Sequence, residues 1–312
     1  MLYLLTWSDS CATGPRAWSE WTANLVQELF FKILHILEKG ELAAPSTSRK
    51  VDASLSLLRR ELAQKMEEKD IEALFEIMSP RYLLETNPKA IFHHLELYQT
   101  LPRLHGQRKD SAFIMEARED ESTDYWEVTF LAADRPGLFS DFAGVMALNN
   151  INILSAHIYT WRDETAVDVF KVTRPLDLVH SEEIWERIRG DLKRTFTGKL
   201  SLVYRLSQKA KSLLLSPPKN PTRPPKVIID NDSSDFFSLI EVFADDHVGL
   251  LYQITHTLFS LRLDISIAKI ATKGDQIADV FYVRDLEGQK VEDEKQVIEI
   301  QEALLHQLNN GF

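Results

Sequence analysis

Two kinds of spacing between apolar residues divide this chain into an N-terminal and a C-terminal part. Over residues 18–101 the apolar positions recur about every 3.6 residues, which is typical of helices, and Gly40, Pro80 and Pro88 separate successive helical runs. From residue 111 onward, short apolar or alternating runs, which are typical of strands, stand between the helical runs. The pattern therefore predicts an all-helical N-terminal region followed by an α+β region.

The α+β region contains the same succession of elements twice. In each copy a strand-like run leads into an Asp-x-x-Gly-Leu segment, which starts at Asp134 in the first copy and at Asp246 in the second, and a helical run follows. The offset of 112 positions (246 minus 134) also relates Asn152 to Asp264. Each copy reads strand, strand, helix, strand, strand, helix. Two copies of one supersecondary unit are therefore predicted.

The apolar runs also give approximate limits for the elements. In the first copy the predicted strands cover 113–117, 126–133, 151–160 and 166–173, and helices are predicted after Gly137, over 181–195 and over 200–215. The apolar parity shifts within the third strand of each copy, near Ser155 and near Ile267. Such a shift predicts a β-bulge at both places.

A proline-rich segment over residues 216–225 is the clearest boundary, because its composition favours an extended, polyproline-like spacer. The chain then divides into five predicted parts: a helical segment 1–40, a helical connector 41–110, a first α+β domain 111–215, the spacer 216–225 and a second α+β domain 226–312.

Size, charge and cysteine content narrow the class of protein. With 312 residues, 44% of them hydrophobic, the chain can form more than one core. Its net charge of −11 disfavours nucleic acid and anionic membranes as partners. The most apolar stretch, residues 25–37, is too short to span a bilayer, and no signal-peptide pattern opens the chain. Because the lone Cys11 cannot form an internal disulfide, we expect a soluble, cytoplasmic protein.

The Asp-x-x-Gly-Leu segments are the candidate binding elements. A helix that begins directly after a strand leaves its first N–H groups unpaired, and those groups suit a carboxylate or another small anion. The helix dipole contributes only about 0.3–1 kcal/mol, so neighbouring side chains have to supply specificity. Asp134 and Asp246 are equally compatible with helix capping or a turn. Arg135 could meet a carboxylate, and Asn152 and Asp264 could bind the polar head of an amino acid.

Other patterns favour structural roles. His93 and His94 are neighbours on a predicted helix and point in different directions, so packing or capping is expected rather than metal binding. Asp230 and Glu241 have the spacing of a calcium loop, but Asp235 stands where such a loop needs glycine. The sequence contains neither a phosphate-binding glycine loop nor a Gly-x-Ser-x-Gly elbow.

The residues around the repeated segments carry a family resemblance. The Asp-Arg-Pro-Gly-Leu segment and the Asn-Ile, Ala-x-Ile and Asp-Val-Phe blocks after it resemble ACT domains, which are small α+β modules, usually βαββαβ, that pair side by side and bind amino acids. The tandem pair resembles the C-terminal end of the bifunctional protein-PII uridylyltransferase/uridylyl-removing enzymes, whose ACT domains sense glutamine. Residues 4–15, with Trp18 and Trp21, resemble the last helices of the HD domain of that family. The resemblance covers nearly the whole chain and implies an α+β fold with two ferredoxin-like ββαββα domains.

Two departures from the family pattern alter the expectations. The nucleotidyltransferase signature and the His and His-Asp ligands of the HD domain do not occur in this sequence, and Asp9 matches only the last of those ligands. One carboxylate cannot hold a catalytic metal, so we expect no catalytic residue, metal site or cofactor here, whereas the full-length family is expected to need Mg or Mn. Each copy also starts with a strand, where an ACT domain usually ends with one. We expect these leading strands, 113–117 and 227–230, to fill that position in the sheet.

The resemblance implies a glutamine-sensing module of nitrogen regulation that lacks its catalytic domains. Two alternatives stay open: a residual uridylyl-removing phosphodiesterase that acts with a separate catalytic half, and a structural module that dimerises through its sheet edges. Expected partners are L-glutamine, the PII protein and the missing catalytic domains, but neither nucleic acid nor membrane. The candidate ligand-binding residues are Asp134, Arg135, Pro136, Gly137, Leu138, Asn152, Asp246, His247, Gly249, Leu250 and Asp264.

Overall fold

The computed structural model describes residues 55–63, 66–101, 112–120, 125–175, 177, 180–213, 224–234, 236–247, 249–270, 272–273 and 276–310. The chain forms two compact units, Met1–His93 and His94–Phe312. The predictions for the first 54 residues, including Asp9 and the helix with Trp18 and Trp21, lie outside the described residues, as does nearly all of the proline-rich spacer. The domain limits therefore stay predictions.

The N-terminal helices follow the predicted apolar stripes. Residues 55–62 are helical, and α1 (Glu68–Ile77), α2 (Pro80–Glu85) and α3 (Pro88–Thr100) come after them. Ser79 caps α2, because its hydroxyl accepts a hydrogen bond from the Tyr82 amide at 3.4 Å. His94 is buried and His93 is half-buried, as expected for packing residues. The predicted helical spacing is reflected in the buried apolar residues of these helices: Leu58, Leu62, Ile71, Leu74, Phe75 and Met78.

The first repeat is an antiparallel sheet with helices packed on one face. Its elements are β1 (Phe113–Glu119), β2 (Tyr125–Ala133), α4 (Leu138–Leu148), β3 (Ile153–His157), β4 (Thr165–Thr173), α5 (Ser181–Phe196) and α6 (Leu202–Leu213). The strand order is β1-β2-β4-β3. The third strand is shorter than the predicted 151–160, because it ends at His157 and Thr160 forms only an isolated bridge with Ala166.

The second repeat has the same order of elements. It consists of β5 (Lys226–Asp230), β6 (Ser238–Asp245), α7 (Leu250–Ser260), β7 (Leu263–Lys269), β8 (Thr272–Lys273), β9 (Gln276–Asp285) and α8 (Glu294–Asn310). The strand order is β5-β6-β9-β7, and the short β8, which the apolar pattern does not predict, pairs with β9. Both predicted bulges are confirmed, because the register shifts between Ile153 and Ser155 and between Ile265 and Ile267.

The leading strands β1 and β5 form one edge of each sheet, next to β2 and β6, which confirms that they belong to their sheets. A helix side chain bonds with one carbonyl of each of these edge strands. The Arg189 Nε atom donates to the Met115 carbonyl at 3.3 Å, and the Gln301 Nε2 atom donates to the Val227 carbonyl at 2.8 Å. Donors and acceptors are both related by the offset of 112. An uncovered edge invites pairing with another chain, so the two repeats protect themselves in the same way.

One continuous apolar core holds the two repeats side by side. Stacked aromatic rings fill the first repeat, where Phe142 of α4 lies on Phe170 of β4 with a centroid distance of 4.1 Å. The buried cluster continues to Phe281 of β9, α4 packs against α7, and β3 lies beside β7. β3 and β7 are edge strands of their own sheets. The turn before α4 and the start of β7 meet where the repeats adjoin. No helix within the described residues combines the length and the apolar character needed to cross a membrane.

Candidate functional site

Each repeated segment turns from a strand into a helix through a glycine with a left-handed backbone. Gly137 has φ of 82° and Gly249 has φ of 85°, a conformation that costs other L-residues roughly 1–2 kcal/mol. These glycines occupy the positions before α4 and α7, and neither helix has a side-chain cap. Since glycine holds the N-cap position in both copies, the structure favours the turn role over the N-cap role for Asp134 and Asp246. Asp134 instead accepts a hydrogen bond from the Thr160 hydroxyl at 2.6 Å, which ties the turn to the segment after β3.

Each copy also has a side-chain contact between its turn and the helix that follows, at equivalent positions. The Arg135 guanidinium donates to the Asp141 carboxylate at 2.5 Å and lies over the Phe196 ring at 4.9 Å. At the positions 112 residues later, the His247 Nε2 atom lies 3.3 Å from the Gln253 Oε1 atom. In both copies, the residue after the Asp is thus held by the first turn of the following helix. Arg135 is already paired, so a ligand carboxylate would have to share it.

The first turn and the second repeat line one cavity where β3 and β7 adjoin. Its volume is about 30 Å³, room for roughly two waters at about 10–15 Å³ each. Five of the predicted ligand-binding residues line it: Asp134, Arg135, Gly137, Leu138 and Asp264. Asp168 of β4, which the sequence analysis did not select, lines it as well. The structure therefore brings the Asp of the first turn together with the Asp that opens β7.

The three carboxylates of this cavity influence one another. Burial raises the pKa of the Asp168 carboxyl well above its ordinary value, and the charge of Asp134 adds to the rise. Burial also raises the pKa of Asp264, again with a contribution from Asp134. The Tyr159 backbone amide donates a hydrogen bond to the Asp168 carboxylate at 3.4 Å. Among the described residues, no group of three or more His, Cys, Asp or Glu has the arrangement of a metal site. An ammonium group would relieve the repulsion between these carboxylates.

A larger cavity of about 160 Å³ lies next to the first and shares Arg135, Gly137, Ser140 and Phe259 with it. Ser140 is buried, and its hydroxyl has no hydrogen-bond partner within the described part of the chain. Tyr252 and His256 of α7 line the other wall, and their rings stack at 5.1 Å. A Cβ atom added to Gly137 would lie 3.1 Å from the Phe259 ring. Phe259 of the second repeat is thus in contact with the first turn and borders both cavities.

The remaining candidates lie apart from these two cavities. Pro136, Asn152, Asp246 and His247 are exposed. Asn152 is bonded through its backbone to Thr173, whose hydroxyl accepts from the Asn152 amide at 3.0 Å. Gly249 and Leu250 are buried, and Leu250 belongs to the core. The two turns therefore differ, and only the first borders the cavities between the repeats.

The sequence contains a feature that marks Asp168, namely an acidic residue at a core-facing position of a strand. It occupies the same side of β4 as Ala166, Phe170 and Val172, which all belong to the core. A charged residue at a core-facing position of a strand costs folding free energy unless its charge is paired and hydrogen-bonded. The same anomaly recurs at Asp279 of β9, which is buried too. Phe259 and Ser140, in contrast, carried no such signal, because their position at the cavities depends on how the repeats adjoin.

Comparison with known proteins agrees with this architecture. Residues 126–190 match the ACT domain family, and residues 226–312 match a family described as ACR9-like, ACT-like domain. The chain is 32% identical over 99% of its length to a bifunctional uridylyltransferase/uridylyl-removing enzyme of Azospirillum brasilense. It is 32% identical over 100% of its length to one of Gluconobacter oxydans, and 31% identical over 97% to one of Rhodospirillum rubrum. In each case the chain spans 32% of the length of that relative.

These matches confirm both parts of the resemblance. The alternating strands and helices on either side of the spacer are ACT-like folds of the ferredoxin type, and a helical region precedes them. The chain carries two ACT domains and matches the bifunctional uridylyltransferase/uridylyl-removing enzymes over nearly its full length.

Proposed function

We propose that this chain is the glutamine-sensing regulatory module of a protein-PII uridylyltransferase/uridylyl-removing enzyme. The ligand binds in the cleft between the two ACT domains, and its occupancy biases catalytic domains that act on PII. The observation that carries the proposal is the cavity shared by the first turn and by β7, in which Asp134 and Asp264 come together. The binding step requires no cofactor in this chain.

The two charged ends of an amino acid find complementary surroundings in this cleft. The Leu138 N–H group already donates to the Arg135 carbonyl at 3.2 Å, so the N–H groups of Phe139 and Ser140, the next two in α4, are the ones that suit the α-carboxylate. The carboxylates of Asp134, Asp168 and Asp264 suit the α-ammonium group, which would offset the repulsion among them. The side-chain amide extends into the larger cavity, where the unpaired Ser140 hydroxyl can bond with it.

The sizes of the two cavities connect glutamine binding to a change in the contact between the repeats. A cavity of about 30 Å³ is too small for an amino acid, whereas its neighbour has about 160 Å³. Phe259 borders both, so rotation of its ring away from Gly137 joins them. Because Phe259 belongs to α7 and Gly137 precedes α4, this movement alters the contact between the ACT domains. A coupling of about 1–3 kcal/mol between such states suffices for roughly 5- to 150-fold regulation.

Calorimetric titration of the intact chain with L-glutamine tests the proposal. We expect binding in the micromolar-to-millimolar range, with Asp134→Ala and Gly137→Val each weakening it. Asp232→Ala is the matched control, because this exposed carboxylate lies in the turn after β5 and away from both cavities. Titration with L-glutamate measures selectivity for the amide.

A second variant tests the coupling role of Phe259 separately from glutamine binding itself. Phe259→Ala removes the ring between the two cavities, so we expect it to retain glutamine binding while weakening any effect of glutamine on the contact between α4 and α7. Hydrogen exchange of the two helices, measured with and without glutamine, reports that contact. Absence of heat at millimolar glutamine, in a folded chain, would leave only a scaffolding role for the ACT pair.

A further inference from the structure

An open groove of about 720 Å³ lies on the helical face of the second repeat. Its walls are α7 and α8, and Val203 of α6 closes one end. The floor includes Leu261 and Ala303, whereas Glu299 and Glu302 stand at the rim as exposed carboxylates. Val203, which lines the groove, is 48% exposed, and Tyr204 of α6 and Ile298 of α8, which are chain neighbours of lining residues, are 61% and 53% exposed.

The first repeat shows what fills the corresponding surface. There, α6 packs on α4, with Leu206 buried and with Leu202 so close that its Cδ1 atom would lie 2.8 Å from a Cβ atom added to Gly144. Lys209 of α6 donates to the carbonyls of Ala147 and Leu148 at the end of α4, at 2.6 and 2.9 Å. The offset of 112 carries Gly144 onto His256 and Leu148 onto Ser260, and both of those residues line the groove.

The helix that covers the first repeat also has a distinctive composition. α6 is amphipathic, with Leu202 and Leu206 on its buried side. It carries Arg205, Lys209 and Lys211 and no acidic residue. A helix of this kind suits the groove of the second repeat, because Glu299 and Glu302 supply the opposite charge at its rim.

We propose that the groove between α7 and α8 is the docking site of a basic amphipathic helix presented by a partner protein. Two leucine-like residues, four positions apart, pack on Leu261 and Ala303, and basic residues face Glu299 and Glu302. A basic side chain near the end of α7 caps its carbonyls, as Lys209 does for α4. The groove borders the larger cavity at the first turn, since Tyr252 and His256 line both, but the residues that carry the proposed contacts, Leu261, Ala303, Glu299 and Glu302, line neither cavity at that turn.

A buried polar group marks the same surface. Gln253 of α7 lines the groove and is only 2% exposed, yet its Nε2 atom has no hydrogen-bond acceptor within the described residues. Leaving a buried donor unpaired costs about as much as a lost hydrogen bond.

The test uses a fluorescein-labelled synthetic peptide with the sequence of residues 200–213, since α6 has the required pattern. Fluorescence anisotropy is recorded while the intact chain is added. We expect saturable binding in the micromolar range that weakens as salt increases. A peptide in which the leucines of positions 202 and 206 are both replaced by serine should not bind.

Groove variants locate the peptide. Ala303→Arg places a bulky, like-charged side chain on the floor and should weaken binding at least tenfold. Replacing Glu299 and Glu302 together by Gln should weaken it roughly 2- to 30-fold, as expected for two exposed charge pairs. The matched control replaces Glu287 and Glu292 by Gln, which removes the same charge from exposed positions outside the groove and should leave binding unchanged.

Circular dichroism confirms that each variant is folded before it is compared. No anisotropy change up to about millimolar chain, the upper end of weak specific binding, overturns the proposal. So does equal weakening by the Glu287/Glu292 control, which would show attraction to net charge alone. Retained binding in folded Ala303→Arg overturns it as well, because the peptide would then lie elsewhere.

Discussion

Gly144 occupies the closest approach between the two repeats, and replacing it with Ala is a direct test of how tightly they pack. An ideal Cβ atom at this position would lie 2.7 Å from Cδ2 and 2.9 Å from Cε2 of Tyr252, and 2.8 Å from Cδ1 of Leu202. Tyr252 is 3% exposed and stacks on His256, so its ring has little freedom to move aside. We therefore expect Gly144→Ala to strain the contact between α4 and α7.

Two opposing terms set the size of the effect. Ala is favoured over Gly inside a helix by about 0.8–1 kcal/mol. Overpacking of a filled core costs about 1–3 kcal/mol. Gly190→Ala isolates the first term, since Gly190 lies within α5 and an added Cβ atom would meet nothing within 4 Å. Gly190→Ala should stabilise the chain, and Gly144→Ala should be less stable than Gly190→Ala by about 1–3 kcal/mol.

Urea unfolding followed by circular dichroism compares the two variants in the same chain. Because a chain with two compact units need not unfold in one step, hydrogen exchange of α4 provides a local measure. Exchange in α4 should accelerate in Gly144→Ala and stay unchanged in Gly190→Ala. If both substitutions stabilise the chain equally, α4 and α7 do not pack as closely as described here.

Three further predictions concern single contacts. Gln301→Ala removes the donor to the Val227 carbonyl and should cost about 0.5–1.5 kcal/mol, measured as a lower urea midpoint with faster exchange in β5, whereas exchange in β1 should not change. Asp168→Asn should stabilise the chain at pH 7. Burial raises the pKa of Asp168 in the folded chain, so its contribution to stability is full below the ordinary carboxyl value of 3.8 and is lost as the pH rises through the folded-state pKa. The urea midpoints of the Asn variant and the wild type should therefore converge at low pH. Lys209→Met should destabilise α4 by about 1–3 kcal/mol, because the Ala147 and Leu148 carbonyls lose a charged donor; an unchanged urea midpoint would contradict this.

The apolar runs of the sequence were sufficient to predict the main elements, since β2, β4 and β6 each contain four or five consecutive buried residues. The bulges at Leu154 and Ser266 were also predictable, since an inserted residue reverses the parity of every apolar position after it. The end of β3 was not predictable from parity. Ile158 and Tyr159 are buried as a strand residue would be, although the ladder stops at His157.

The site itself was only half visible in the sequence. The turn at Gly137 and the polar start of β7 could be found, because the repeat relates each to its counterpart. That Asp134 meets Asp264, rather than Asn152 of its own repeat, depends on β3 and β7 lying side by side. Contacts between repeats have no period along the chain, so Phe259 could not be linked to Gly137 by spacing alone.

The contacts between the first strand and the last helix of each repeat have a consequence during synthesis. Arg189 and Met115 are 74 residues apart, as are Gln301 and Val227. At a translation rate of about 5–20 residues per second, each leading strand waits roughly 4–15 s for the side chain that covers it. Each leading strand therefore emerges from the ribosome before the helix residue that bonds with it, and we expect its outer edge to stay open until that helix has been made.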